Sequence, residues 1–234
     1  MRIAIGFVLC LCAFGQPRFE VAAIKPSTQD SGSSGMHTGN GRLNAENVTL
    51  RRCIQGAYAI GPNLIFGGPD WLDKDRFQID AKTVDPTNGD REIMQAVRSL
   101  LAERFQLKLH RETRTLPAYV LEVAKGGPKL EKAPEGAGGK TDAGRNRIDA
   151  QATTMDHFAE VLSRHVDYPV VNRTGLEGKF NLKLEWTPES NRPEPSPGPS
   201  LFTAVQEQLG LRIRPQKAPI EVIVIDRAEH PTGN

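Results

Sequence analysis

The chain has 234 residues, 38% hydrophobic and 25% charged, with 22 Gly and 17 Pro. That balance is globular and excludes disorder along the whole length. Lys and Arg number 30 against 28 Asp and Glu, a formal charge of +2 with the two signs interspersed, which excludes a basic surface built for a nucleic-acid backbone.

The N-terminus opens Met1-Arg2, runs through apolar residues from Ile3 to Phe14 and closes on Ala13-Phe14-Gly15. A charged start, a short apolar middle and a small-x-small end form the pattern of a cleavable secretory signal over residues 1–15, and the run is too short to cross a bilayer. Cys10 and Cys12 fall inside it, so the expected mature chain keeps Cys53 alone. One thiol makes no internal disulfide, and an exported protein without one is held together by burial. Cys53 sits at an apolar position of a predicted helix, where a cysteine behaves as a small hydrophobe. No later stretch reaches the roughly 20 apolar residues of a membrane span. The expectation is a soluble, periplasmic or secreted protein with no membrane span in the mature chain.

Beyond the signal, Arg18 to Ile24 reads as a strand added to a first sheet, and Ser27 to Gly41 reads as loop. From there the chain repeats itself. Arg42 to Leu50 matches Arg147 to Met155 at an offset of 105, and Arg76 to Ile79 matches Lys179 to Leu182 at 103. Phe105 to Leu109 matches Leu209 to Ile213 at 104, and Pro117 to Val123 matches Pro219 to Ile225 at 102. Leu50, Cys53, Ile54, Ala57 and Tyr58 form one apolar helical stripe, which Met155, Phe158, Ala159 and Leu162 repeat. Thr153 with Asp156 reads as the start signal of this second helix. Strands over Arg76 to Lys82 and Lys179 to Trp186 come next. Helices follow, one carried by Ile93, Val97, Leu100 and Leu101, the other by Leu201, Val205 and Leu209 with Ser200 as its cap. Each half then closes with a strand pair, Gln106 to Glu112 with Ala118 to Ala124 and Leu211 to Arg214 with Ile220 to Asp226.

The pattern predicts an α+β fold of two duplicated small domains, each strand-helix-strand-helix-strand-strand, with helices packed on a mixed sheet. The first repeat with its N-terminal strand covers 18–124, a flexible linker rich in Gly and Pro covers 125–146, the second repeat covers 147–228, and 229–234 is a tail. Glu189 to Pro199, with Pro193, Pro195, Pro197 and Pro199, reads as an extended surface loop.

Five blocks carry a resemblance to a known family. They are Phe19 to Pro26, Gly67-Gly68-Pro69-Asp70-Trp71-Leu72, Leu101 to Thr113, Gly126-Gly127-Pro128-Lys129-Leu130 and Val170 to Leu176. Together they resemble the uncharacterised exported family of Solibacter-type bacteria defined by domain of unknown function 3738. That resemblance implies no established activity and transfers no catalytic residue. It implies as partner an envelope protein, either a membrane antirepressor-type peptidase or an outer-membrane component. Each half is also distantly similar to the short N-terminal domain of secretins and TonB-dependent receptors, a periplasmic docking module. Pro169 to Phe180 and Ala204 to Ile213 carry that likeness, while Trp71-Leu72-Asp73-Lys74 departs from it in the first half.

Few residues invite chemistry. His157 and His165 lie eight apart on one helix, about 12 Å of rise and too far for one metal. His110 falls on an outward strand position beside Glu112, and His37 and His230 fall in loop and tail. Gly32-Ser33-Ser34-Gly35 lacks the spacing of a nucleophile elbow. Gly35, Gly39 and Gly41 precede no Lys-Ser/Thr of a phosphate loop. Asp73 and Asp75 alternate with Lys74 and Arg76 as solvated turn residues do. Trp71 and Trp186 either cap the cores or mark a binding surface. No cofactor and no metal are expected. The reading is an exported, non-enzymatic protein-interaction or signalling module of the cell envelope that docks through exposed sheet edges. The alternative is a secreted hydrolase for cell-wall or polysaccharide material, with His110, Glu112 and His157 as its catalytic residues in a site between the repeats.

Overall fold

The computed structural model describes residues 17–28, 32–187 and 198–231. The signal read over residues 1–15, with Cys10 and Cys12, lies outside the described residues, as does most of Glu189 to Pro199. In chain order the elements begin β1 (Phe19–Pro26), β2 (Gly35–Gly39), β3 (Arg42–Thr49), α1 (Leu50–Tyr58), β4 (Ile65–Gly67), α2 (Trp71–Lys74), β5 (Arg76–Thr83), α3 (Asp90–Arg104) and β6 (Lys108–Val123). They continue β7 (Glu131–Lys132), β8 (Lys140–Ala143), β9 (Arg147–Thr153), α4 (Met155–Leu162), β10 (Val170–Asn172), β11 (Phe180–Glu185), α5 (Leu201–Leu209) and β12 (Leu211–Arg227). The class is α+β, and no helix of the described residues is long and apolar enough to cross a membrane.

Two compact units divide the chain, unit 1 from Met1–Glu112 with Val222–Asn234 and unit 2 from Thr113–Glu221. In unit 1 an antiparallel sheet of order β1-β5-β3-β2 packs with α1 and α3. Its core gathers Leu43, Leu50, Ile54, Leu72, Ile79, Ile93, Leu101 and Phe105 with Ile223 and Ile225 from the far end of the chain. Alternation on β5, with Phe77, Ile79 and Ala81 buried and Gln78, Asp80 and Lys82 exposed, marks a sheet with one wet face. In unit 2 the order is β7-β11-β9-β8, also antiparallel, over a core of Ile148, Met155, Phe158, Leu162, Leu184, Val205 and Leu209 with Leu121 of β6.

Both units start a helix in the same way. Thr49 accepts the amide of Arg52 at 3.2 Å at the start of α1, and Thr154 accepts that of His157 at 3.2 Å at the start of α4. Each threonine thus satisfies one of the donors that a helix start leaves without a partner. The expected cap at Thr153 is therefore displaced by one residue. Thr153 is buried and still paired in the sheet, opposite Phe180. Just before each cap the strand bulges. Asn47 in β3 and Ala152 in β9 have φ of 52° and 47°, and the register shifts by one residue at each. The expected cap at Ser200 is present, with its hydroxyl accepting from the amide of Thr203 at 3.3 Å.

Three expectations fail. The closing strand pairs do not turn back on themselves: β6 and β12 are single strands of 16 and 17 residues. The physical reason lies in the intended turns. Thr113-Arg114-Thr115-Leu116-Pro117 and Pro215-Gln216-Lys217-Ala218-Pro219 contain no Gly, Asn or Asp to take the left-handed angles of a tight hairpin, while Pro and β-branched residues hold the backbone extended. As a result the expected domain limits of 18–124 and 147–228 do not coincide with the units. Second, Ser27 to Gly41 is not all loop, since β2 pairs with β3 and carries His37 opposite Asn44. Third, residues 125–146 are not a bare tether. β7 pairs with β11, β8 pairs with β9, and the amide of Lys129 donates to the carbonyl of Leu209 at 2.8 Å. These strands are short and polar, so no hydrophobic alternation announces them.

Candidate functional site

In unit 1 the alternation of β6 puts Lys108, His110 and Glu112 on one side of the strand. The end of β12 lies beside it and brings Asp226, whose two carboxylate oxygens stand 2.9 and 3.0 Å from His110 Nδ1. Glu112 Oε2 is 3.7 Å from His110 Nε2. Hydrogen bonding to Asp226, reinforced by the charges of Asp226 and Glu112, raises the His110 pKa above its ordinary value. Both ring nitrogens face carboxylates, so the favoured species is the imidazolium, with a donor on each side. A ring in that form has no free lone pair with which to act as a general base. The three side chains are between 39 and 49% exposed, so water screens the group. Its chemistry is that of a cross-strand clasp. Asp226 was missed in the sequence because 116 residues separate it from His110.

His157, the third member of the hydrolase reading, belongs to α4 in unit 2, where its Nδ1 stands 3.4 Å from Glu160 Oε2 one helical turn on. Within unit 1 the structure brings His110 and Glu112 together without it.

Trp71 lies on α2, partly buried, with the imidazole of His230 stacked on it at 4.2 Å and the ring of Phe77 edge-on at 6.4 Å. His230 Nε2 reaches Asp75 Oδ2 at 2.7 Å. The tail thus covers the indole, and Trp71 caps the core of unit 1. Trp186 is 8% exposed in the core of unit 2 and meets His165 edge-on at 4.9 Å. Burial, with the charge of Arg164, lowers the His165 pKa from its ordinary value. An open depression of about 420 Å³ beside Trp186 is lined by polar groups including Arg147, Glu185 and Gln208. Among the described residues no group of three or more His, Cys, Asp or Glu side chains is arranged to hold a metal ion.

The sheet edges differ sharply in size. β7 has two residues, β4 and β10 have three, β8 has four and β2 has five, but β1 has eight. It pairs with β5 from Phe19↔Thr83 to Pro26↔Phe77, and among the described residues no strand pairs with its other side. At about 3.3 Å per residue it offers an edge of roughly 26 Å. Its N-terminal end is tied down, the Ser99 hydroxyl donating to the carbonyl of Pro17 at 3.0 Å and Arg18 pairing with Glu103 at 3.2 Å. Val21, the third residue of the strand, is 63% exposed. Proteins ordinarily blunt such an edge with charge or proline. Here Glu20, at a register shift between Phe19 and Val21, and Lys25 with Pro26 stand at the two ends, and Val21 to Ile24 between them carry no charge.

A second apolar surface, unforeseen in the sequence, lies on unit 2. Tyr119 is 5.8 Å from Tyr168 and 5.3 Å from Phe202, and the last two are exposed. Its members are 34 and 49 residues apart along the chain, so no local pattern announces it.

No curated protein and no solved structure matches the chain. One family model does, described as a protein of unknown function, DUF3738, and it covers residues 51–228. That span runs from within α1 to the end of β12, including Trp71, the His110 clasp and the core of unit 2, and the chain belongs to the DUF3738 family.

Proposed function

We propose that the protein is an exported, non-enzymatic interaction module of the cell envelope that docks by strand addition at the outer edge of β1. The observation that carries this reading is an eight-residue edge strand, anchored at its start, with its third residue Val21 63% exposed. Unpaired backbone donors and acceptors supply affinity to an extended partner segment, and alternate side chains supply selectivity. Val21 selects an apolar residue opposite it. Export rests on the secretory pattern of residues 1–15. The partner is an envelope protein: the family resemblance points to a membrane antirepressor-type peptidase, and the likeness to periplasmic docking modules of the secretin and TonB-receptor type points to an outer-membrane component.

The module arose by tandem duplication of one segment. Several pairs of features support this: the threonine caps at 49 and 154, the bulges at 47 and 152, and the strands β4 and β10, whose first residues also lie 105 apart. The doubly paired His110 supports a fastening role over a catalytic one.

The test is crosslinking in cells that export the protein, comparing the natural chain with Val21→Lys. A charge at this exposed position discourages edge pairing without disturbing the core. An adduct present with the natural chain and reduced at least about tenfold in the variant, at unchanged thermal stability, is the expected result. Equal adduct from both chains rules the edge out.

A further inference from the structure

The two small parallel strands have unexpected partners. β4 pairs with residues of β12, Ile65↔Ile223 through Ile225↔Gly67, and β10 pairs with residues of β6, Val170↔Tyr119 through Asn172↔Leu121. In unit 1, then, a strand from the first half of the sequence is completed by the last strand of the second half. In unit 2 a strand from the second half is completed by the last strand of the first. The donated residues are core residues. Ile223 and Ile225 are 0 and 4% exposed within the core of unit 1, and Val120 and Leu121 are 3 and 0% exposed in unit 2.

The receiving side in unit 1 is shaped for its guest. Gly67 has a φ of 71°, and a Cβ there would stand 2.8 Å from the carbonyl oxygen of Ile225, so only glycine admits the incoming strand this closely. The donors in turn are held straight by Pro117 in β6 and Pro215 in β12, where a turn back into a hairpin is disfavoured.

We infer that the two halves of the sequence are each other's binding partners: each donates its last strand to a sheet of the other, and the covalent connection through residues 125–146 is dispensable for their assembly. The recognition mode is donor-strand complementation within one chain. It does not depend on docking at β1.

The experiment inserts a specific protease site between Ala137 and Gly138, where the turn is open and a Cβ at Gly138 would meet nothing within 4 Å. The folded full-length protein is then cleaved and passed over a sizing column. Both fragments are expected to co-elute as one particle of the uncut size and to part only in denaturant. Residues 119–121 and 223–225 are expected to keep amide exchange at least about 100-fold slower than in an unfolded chain. Fragments that emerge separately under native conditions, folded or not, overturn the inference. So does rapid exchange at 223–225 in a particle that stays together.

Discussion

At the scale of single residues, the left-handed positions show where this chain tolerates strain. Asn47 at φ 52° is a residue type that accepts this region, and its side-chain oxygen takes the Ser27 hydroxyl at 3.1 Å. Ala59 at φ 50° is not. It ends α1 with its amide shared between the carbonyls of Gln55 and Gly56, whereas α5 ends at the corresponding place with Gly210, φ 64°. An alanine in this region brings Cβ against the following carbonyl, at a cost of roughly 1–2 kcal/mol, part of which glycine returns as unfolded-state entropy. Ala59 is exposed and is not among the core residues of unit 1. Ala59→Gly is therefore expected to stabilise the protein by roughly 0.5–1 kcal/mol, read as a higher urea midpoint at unchanged slope. A lower midpoint would show that α1 does not end in this conformation in solution.

Between elements, the clasp of β6 on β12 makes stability depend on pH. His110 has its pKa raised in the folded state, chiefly by hydrogen bonding to Asp226. A group whose folded value lies above its unfolded one stabilises fully below the unfolded value, near 6.5 for histidine, and the contribution fades as pH rises through the folded value. The urea midpoint of the natural chain should exceed that of His110→Gln by more at about pH 5.5 than at about pH 8.5. A gap that widens with pH would contradict the pairing. Nothing in the sequence reveals this clasp, because it depends on which strands become neighbours. The elements themselves were largely legible. The 3.6-residue stripe of Leu50, Cys53, Ile54 and Ala57 and the two-residue alternation of Phe77, Ile79 and Ala81 report burial on one face, whatever the topology. Topology was not legible. Leu107 and Leu109 alternate equally well in a hairpin or in a long straight strand, and only the missing turn residues at 113–117 distinguish the two. Edge strands such as β8, four residues of which three are exposed, have no buried face to pattern.

For the whole molecule, the consequence is that unit 1 is discontinuous and depends on residues more than 100 positions further along the chain. Residues Val222–Arg227 supply Ile223 and Ile225 to its core, Asp226 to the clasp and a neighbour to β4, and His230 beyond them covers Trp71. Removing one buried isoleucine costs about 2–5 kcal/mol, so losing two with their strand rivals the whole stability of a domain, about 5–15 kcal/mol. A chain ending at Glu221 should therefore lose unit 1, although it retains every residue of the first half. Unit 2, which is continuous from Thr113 to Glu221, should keep its slow amide exchange. Cys53 reports the difference directly. Burial pushes its thiol pKa up to about 12 in the complete protein, where it is neither ionised nor accessible and a thiol reagent should not label it. In the shortened chain the same thiol should react at the rate of an unfolded cysteine. If Cys53 instead stays protected there, the C-terminal strand is an ornament on a core that closes without it, and the first half folds by itself.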